Sequence, residues 1–305
     1  MLTTPLGFRS GMVAVVGRPN VGKSTLVNAV VRVKVAVTSP RPQTTRGRIF
    51  GVRTTPEHQI AFVDTPGFHR GKSALNKAML NVVREESHGG DVVLFVADLS
   101  QPPHQDDMEA ASFLLKGAEK VDLPVLLVGN KVDLLAPQDV EASLALYRAL
   151  GRFADEHVVS AATGQGIPAL EAAIAARLPE GPMLFPPDMQ TDQDEGTRAA
   201  EIIREKALHE TRQEIPHAIA VDIEELRDGK TAGTRYLRAT IYVERESQKP
   251  ILVGKGGARL KRIGQMARRD LTAIFGTNYY IELWVKVKED WRERPDVLRA
   301  WGFDV

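Results

Sequence analysis

Short apolar runs alternate with amphipathic segments through the first part of the chain. The apolar runs are Met12–Val16, Ile60–Val63, Val92–Ala97, Val125–Val128 and His157–Ser160. Nearly continuous apolar strands are typical of a sheet covered by helices on both faces. Segments with helical periodicity separate them, at Lys23–Val31, Ser73–Ser87, Gln105–Leu115, Gln138–Leu150 and Ile167–Leu178. This alternation predicts an α/β domain with a mostly parallel sheet.

The pattern changes after a proline-rich stretch. Residues 179–197 contain four prolines and no period, so we predict a linker between a first domain, residues 1–178, and a second, residues 198–305. The second domain is predicted to follow the order α-β-β-α-β, with helices on one side of a small sheet. Its elements are Arg198–Gln213, Ala218–Leu226, Tyr236–Glu244, Gly257–Phe275 and Tyr279–Lys288. The three tryptophans are expected to complete cores, the alternative being that they stack on bases. They are Trp284, Trp291 and Trp301.

Composition narrows the chemistry. The 305 residues are 43% hydrophobic and 26% charged, as in folded globular proteins, and they include no cysteine. Disulfides, cysteine-bound metal clusters and thiol nucleophiles are therefore excluded, and a reducing compartment is favoured. The net charge is +1, yet residues 249–269 hold seven basic residues and no acidic one. That segment is either a solvated helix face or a surface for an anionic partner.

A phosphate-binding pattern follows the first strand. Residues 17–24 match G-x-x-x-x-G-K-[ST] between a predicted strand and a predicted helix, as this motif requires. Backbone amides at the helix start would point at a phosphate chain, Lys23 would meet the β- and γ-phosphates, and Ser24 would ligate Mg²⁺. The alternative is a chance match in a glycine-containing loop.

Two further motifs follow strands in the order that a nucleotide site needs. At residues 64–67, Asp64 could hold Mg²⁺ through water and Gly67 could meet the γ-phosphate, although the same residues can form an ordinary turn. In residues 130–133, Asp133 offers a carboxylate to guanine N1–H and N2–H₂, and adenine would leave that acceptor unpaired. Asn130 suits the other purine edge and a brace to the phosphate loop, and the stem of Lys131 can cover the base. Ser160, Ala161 and Ala162 follow the next strand near the base.

The motifs together resemble those of the Era GTPases. The resemblance includes Asn20 in the phosphate loop, Gln43–Arg46, residues 64–68 ending in Phe68, and a G-x-x-G loop at residues 254–257. It implies a P-loop GTPase domain followed by a smaller α+β KH domain of type II that binds RNA. It also implies a cytoplasmic protein, peripherally membrane-associated in some bacteria, that binds the 3′ end of small-subunit (16S) ribosomal RNA during 30S subunit assembly. We expect a monomer.

The expected nucleotide contacts are Gly17, Arg18, Pro19, Asn20, Val21, Gly22, Lys23, Ser24, Thr25, Asp64, Thr65, Pro66, Gly67, Phe68, Asn130, Lys131, Val132, Asp133, Ser160, Ala161 and Ala162. Mg²⁺ would be held by Ser24, Thr45 and, through water, Asp64. Either Thr44 or Thr45 could ligate Mg²⁺ in a mobile loop, and Thr45 is favoured by its place before Arg46.

The residue after Gly67 bears on catalysis. Many GTPases have a glutamine there to orient the attacking water, and Phe68 cannot do so. In related families with this substitution, potassium held partly by the loop asparagine replaces an arginine finger, and Asn20 matches that position. Lys23, Thr45, Gly67 and Asn20 are thus the expected catalytic residues. Asn20 could instead only stabilise its own turn.

A second site is expected where the basic segment meets its glycines. A G-x-x-G loop in a KH fold clamps the RNA backbone, and the following helix start favours an anion. The expected RNA contacts are Gly254, Lys255, Gly256, Gly257, Arg259, Lys261 and Arg262. We therefore predict a GTP-hydrolysing switch, using GTP/GDP and Mg²⁺, that controls an RNA-binding domain. The alternatives are a nucleotide-sensing RNA chaperone with negligible turnover and a GTPase whose basic segment meets anionic lipid, which would not need the glycines.

Overall fold

The computed structural model describes residues 5–35, 49–64, 90–211, 219–289 and 291, without the side chains of residues 49, 50, 64 and 90. The chain divides into two compact units, Met1–Asp192 and Gln193–Val305. Each unit has a hydrophobic core of its own. The predicted helix at Ser73–Ser87 lies outside the described residues.

A six-stranded sheet forms the centre of the first unit. Its strands are β1 (Arg9–Val16), β2 (Ile49–Thr54), β3 (His58–Asp64), β4 (Gly90–Asp98), β5 (Val125–Asn130) and β6 (Asp155–Val158). They are ordered β2-β3-β1-β4-β5-β6, and every neighbouring pair is parallel except β2 with β3. The predicted strands are confirmed, although β6 begins and ends two residues before the predicted range His157–Ser160. Strand β2 is an antiparallel strand that the apolar pattern did not indicate.

Helices cover both faces of this sheet, as the apolar strands predicted. They are α1 (Lys23–Val31), α2 (Gln105–Glu119), α3 (Val140–Arg148) and α4 (Ile167–Ala175). Successive side chains of a strand point to opposite faces. Val13 and Val15 therefore pack with α1 and α4, whereas Ala14 and Val16 pack with α2 and α3. The parallel strands place the ends of β1, β3, β4 and β5 along one edge of the sheet, where the loops of the nucleotide motifs begin.

The proline-rich segment differs from the predicted linker. Residues 179–190 run along the amino-terminal edge of the sheet, held by hydrogen bonds to β1, β2 and β3; we call them the strap. Ser10 N donates to the carbonyl of Pro179 at 3.1 Å, and Val52 N donates to that of Gln190 at 2.8 Å. Gln59, fully buried, makes four hydrogen bonds, three of them to Leu184 and Phe185. The strap belongs to the first unit.

The second unit is a three-stranded sheet with helices on one face. Its elements are α5 (Glu195–Glu210), β7 (Ala220–Asp228), β8 (Thr234–Val243), α6 (Lys249–Val253), α7 (Ala258–Phe275) and β9 (Asn278–Val287). The order is β7-β8-β9, antiparallel and then parallel. The predicted α-β-β-α-β order is confirmed, with the short α6 added before α7. Alternate residues of β8 and β9 pack against α5 and α7.

The tryptophan prediction holds in part. Trp291 is 1% exposed and completes a core, as expected. Trp284 is 52% exposed on the opposite face of the sheet from the helices, so the expectation that it fills a core is wrong. It lies on the polar side of β9, because the strand alternates and its neighbours Leu283 and Val285 take the core side. Trp301 lies outside the described residues.

Candidate functional site

The phosphate loop connects β1 to α1 and depends on two glycines. Gly17 lies so close to β4 that a Cβ there would sit 2.4 Å from the carbonyl oxygen of Val96. Gly22 has φ of +100°, and its Cβ would sit 2.3 Å from Nδ2 of Asn130. An alanine at either position would collide with a fixed neighbour. The glycines therefore let the loop close tightly against β4 and β5.

The lysine of the loop is held in place. Lys23 is 7% exposed, and its ammonium donates to the carbonyls of Gly17 at 2.8 Å and Arg18 at 3.0 Å. These bonds hold the positive charge against the loop that would wrap a phosphate chain. Ser24 follows in the first turn of α1, where backbone N–H groups point out of the helix start. Asn20 is exposed and has φ of +66°.

The loop after β5 is braced to the phosphate loop through one side chain. Asn130 is 1% exposed. Its Nδ2 donates to the carbonyl of Val21 at 2.8 Å, and its Oδ1 accepts from Ala161 N at 2.9 Å. Three loops that are far apart in sequence are thereby fixed to one another. The brace that the sequence predicted for Asn130 is present in the structure.

The carboxylate of Asp133 is oriented by a neighbouring hydroxyl. Ser160 Oγ donates to Asp133 Oδ1 at 2.5 Å, and Thr163 N donates to the same Ser160 oxygen at 3.2 Å. Asp133 remains solvent-exposed. An exposed, oriented carboxylate beside small residues can accept two hydrogens from the edge of a base.

Two buried carboxylates at this edge were not found by the sequence reasoning. Asp98 ends β4, is 2% exposed and accepts from Lys131 Nζ at 2.6 Å. Asp107, in α2, is fully buried and accepts from Arg18 Nε at 2.9 Å. Burial raises the pKa of Asp107, despite hydrogen bonds from His104 and Arg18 that act in the opposite direction. The available signal was the position of Asp98, at the carboxyl end of a buried parallel strand.

Several predicted site residues fall outside the described part of the chain. These are Thr44, Thr45, Thr65, Pro66, Gly67 and Phe68. The backbone of Asp64 ends β3, and its side chain lies outside the described residues. Arg18, Pro19, Val21, Thr25, Val132 and Ala162 lie in or next to the loops already described.

In the second unit the four-residue glycine loop joins α6 to α7. Gly254, Gly256 and Gly257 have φ of +73°, +60° and +79°. Lys255 and Gly256 are exposed, and no side chain caps the start of α7. The backbone N–H groups of that helix start therefore face the loop without a side-chain acceptor, an arrangement that suits an anion.

The basic residues after the loop do not act alike. Arg259 is half-buried and donates to the carbonyl of Ile251 in α6, so it ties the two ends of the loop together. Arg262 is exposed, with its Nε 3.2 Å from Glu210 Oε1, and its charge is partly balanced. Lys255 and Lys261 are exposed. The structure thus gives Arg259 a structural contact, whereas the sequence placed it with Arg262 among the charges surrounding RNA.

Family comparisons agree with these two units. A 50S ribosome-binding GTPase family matches residues 12–131, and the KH domain family matches residues 214–292. A P-loop GTPase domain of mostly parallel sheet followed by a KH domain is therefore the class of this protein. Among the described residues, none of the helices is both long and apolar enough to cross a bilayer.

Full-length relatives define the family more closely. The chain is 45% identical to GTPase Era of Heliobacterium modesticaldum, over 97% of this chain and 98% of the relative. It is 43% identical to GTPase Era of Geobacter metallireducens, over 97% and 98%. The chain belongs to the Era GTPase family, and it is a GTPase.

Solved structures give the same assignment. An Era in complex with MgGDPNP and nucleotides 1506–1542 of 16S ribosomal RNA matches with a TM-score of 0.87 and 39% identity, over 98% of this chain and all of that one. A variant of Aquifex aeolicus Era bound to GDP·AlF4⁻ matches with a TM-score of 0.88 and 39% identity, with the same coverage.

Proposed function

We propose that this GTPase is a nucleotide-controlled switch that binds the 3′ end of 16S ribosomal RNA and acts in assembly of the 30S subunit. The observation that carries the proposal is the loop Gly254–Gly257, with Lys255 and Gly256 exposed, at an uncapped helix start on the same chain as a braced nucleotide site. The Era structure with a 16S fragment supports the choice of RNA. A cytoplasmic location follows, because ribosome assembly takes place there. Peripheral membrane association and a monomeric state remain predictions.

In the nucleotide site, Asp133 would read guanine, and Asn130 would hold the base loop against the phosphate loop. Lys23 would exchange its two carbonyl contacts for the β- and γ-phosphates. The backbone of residues 17–25 would wrap the phosphates, and residues 160–162 would lie beside the base. These assignments rest on the short distances that join the three loops.

The oxygen donors of this edge suit magnesium. The Ser24 hydroxyl, with Thr45 and Asp64 from the sequence pattern, forms the kind of all-oxygen set that Mg²⁺ takes with phosphates and water. Bound there, Mg²⁺ would neutralise charge on the β- and γ-phosphates. Thr45 is preferred over Thr44 by its place before Arg46.

Potassium is proposed to assist hydrolysis. Asn20 is exposed and has a left-handed backbone. Its side-chain amide oxygen is therefore available to a cation near the phosphates. We expect slow intrinsic hydrolysis, on the order of 10⁻⁴–10⁻² s⁻¹, that is faster in potassium than in sodium. Asn20→Gly should remove this difference, because glycine keeps the left-handed backbone while the oxygen is lost.

Phosphate release at saturating GTP, measured in matched potassium and sodium buffers, checks this expectation. Asn278→Gly, at an exposed asparagine of the second unit, controls for a general effect of an asparagine-to-glycine change. Equal wild-type rates in the two salts would show that potassium plays no part. Multiple turnover with RNA present also separates the switch from a nucleotide-sensing RNA chaperone, which would release little phosphate.

RNA binding is tested at the glycine loop. Replacing Lys255 and Gly256 together by aspartate should reduce binding of a 16S 3′-end fragment at least ~100-fold, because two carboxylates would meet the phosphates. Aspartate tolerates the left-handed backbone of Gly256, so the fold should persist. Filter binding across a salt series should give the wild type a slope near −0.7 per neutralised phosphate.

Lys230→Asp, an exposed lysine in the β7–β8 turn, is the matched control for charge. It should bind RNA within about twofold of the wild type, and both variants should hydrolyse GTP without RNA at the wild-type rate. Undiminished RNA affinity in the folded double-aspartate variant would place the RNA site elsewhere.

A further inference from the structure

We propose that Asp98 is a positioning residue for guanine nucleotides: its carboxylate anchors Lys131 and so fixes the stem of that lysine over the base. The inference rests on the proposed base-binding role of residues 130–133. Asp98 lies 32 residues before Asn130 and belongs to none of the nucleotide motifs.

The carboxylate of Asp98 is itself firmly oriented. Its Oδ1 accepts from Ser100 N at 3.1 Å and from Ser100 Oγ at 2.6 Å. The backbone carbonyl of Asp98 accepts from Tyr147 Oη at 3.1 Å, and the N–H of the next residue, Leu99, donates to the carbonyl of Asn130 at 3.0 Å. The remaining oxygen, Oδ2, is thereby directed towards the base loop.

Lys131 depends on that oxygen. Its ammonium is 2.6 Å from Asp98 Oδ2, and its backbone is left-handed, with φ of +66°. A left-handed conformation is unfavourable for lysine, and a buried anion at the end of the side chain offsets this cost. With its two ends fixed, the four-carbon stem is restrained, and it would lie against a base bound beside Asp133. The methylene groups of Lys131 would then form an apolar surface that is in place before the base binds.

The phosphate loop is tied to the same group of charges. Arg18 Nε donates to Asp107 Oδ2 at 2.9 Å, and Arg18 Nη2 lies 3.9 Å from Asp98 Oδ2. Asp107 also accepts from His104 N at 2.9 Å. The two carboxylates and the two cations, Arg18 and Lys131, therefore balance one another within the protein. In this arrangement the guanidinium of Arg18 ties the phosphate loop to Asp98 and Asp107. It does not point its charge at the phosphates.

If Asp98 acts in this way, replacing it should reduce nucleotide affinity and leave the rate of GTP hydrolysis at saturation unchanged. Asp98→Asn should weaken GDP and GTP equally, by roughly 10-fold, because the stem of Lys131 would no longer be held in place beforehand and would have to be ordered when the base binds. The loss should appear as faster dissociation, measured by filter binding with an excess of unlabelled nucleotide. The kcat at saturating GTP should stay at the wild-type value.

A double-mutant cycle tests whether the effect passes through Lys131. Lys131→Met should weaken GDP to a similar degree, and the Asp98→Asn, Lys131→Met double variant should be no weaker than either single variant. Ser100→Ala, which keeps the Asp98 charge and the backbone hydrogen bond from residue 100 but removes the bond from the hydroxyl, should cause a smaller loss of about threefold. Asp139→Asn, at an exposed carboxylate, is the matched control.

Multiplicative losses in the double variant, or unchanged dissociation in Asp98→Asn, would overturn the inference. If Asp98→Asn does not fold, Ser100→Ala and Lys131→Met decide the matter, since wild-type dissociation in both would refute it. Asp133→Asn separates the two levels of failure. If that change leaves base preference unaltered, the base loop itself is misassigned; if it alters base preference while the Asp98 variants behave as wild type, only the positioning role is wrong.

Discussion

The proposed selection of guanine would depend on the few atoms around Asp133. Its Oδ1 accepts a hydrogen bond from the Ser160 hydroxyl at 2.5 Å. The carboxylate is exposed and can accept hydrogen bonds from a base that binds beside residues 160–162. A site built to accept hydrogen bonds penalises a base that cannot donate them. The wild type should therefore bind GTP and GDP and exclude ATP and ADP.

Asp133→Asn should reverse this choice. The amide donates where the carboxylate accepted, so guanine nucleotides should bind at least ~100-fold more weakly, and xanthine nucleotides, which carry a carbonyl in place of the guanine amine, should bind better. Competition against radiolabelled GDP measures both changes, with Asp139→Asn as the control. A wild-type site that does not prefer guanine over adenine would contradict the assignment.

At the scale of elements, one side chain of β3 makes three of the hydrogen bonds that hold the strap. Gln59 donates to Thr54 Oγ1 at 3.0 Å and to the Phe185 carbonyl at 2.9 Å, and it accepts from the N–H groups of Leu184 and Phe185 at 2.7 and 2.9 Å. The buried amide of Gln59 thus donates both of its N–H groups and accepts two hydrogen bonds at its oxygen. The strap is therefore part of the first unit's stability.

Gln59→Leu should lower the free energy of unfolding of the first unit by about 2–4 kcal/mol, because three backbone groups of the strap would lose their partners. Urea unfolding followed by far-ultraviolet circular dichroism measures the change. Gln138→Leu, at an exposed glutamine, should shift the midpoint little. An unchanged midpoint for Gln59→Leu would show that the hydrogen bonds between Gln59 and the strap contribute nothing to stability.

The local pattern of apolar and polar residues was enough to predict most helices and strands. It was not enough to predict contacts between residues that are distant in the sequence. The apolar strands β1, β3, β4 and β5 were predictable because a sheet covered on both faces requires them. The strand β2 was missed, since Gly51 and Arg53 interrupt its apolar character. The strap was taken for a linker because its bonds to Ser10 and Gln59 join residues more than 100 positions apart.

The same distinction applies to the site. The phosphate loop and the Asn130 brace were predictable because motif spacing and strand order specify them together. The ion pair between Asp98 and Lys131 was not, because it depends on where two strand ends meet. The contact of Arg259 with Ile251 was not predictable for a related reason: the spacing of Arg259 from Arg262 indicated a shared helix face, whereas the turn of the glycine loop brings Arg259 to Ile251.

For the whole molecule, the tryptophan positions carry a practical consequence. Every tryptophan of the chain, Trp284, Trp291 and Trp301, falls in the KH-containing unit. Trp284 is half-exposed and Trp291 is buried, so their indole emission should differ in wavelength and in access to a quencher such as iodide. The GTPase unit has no tryptophan, so it emits no indole fluorescence when the protein is excited selectively at tryptophan. Unlabelled protein therefore carries an optical reporter confined to the RNA-binding unit, and a change in its emission on addition of GTP would register that unit's response to nucleotide bound in the other.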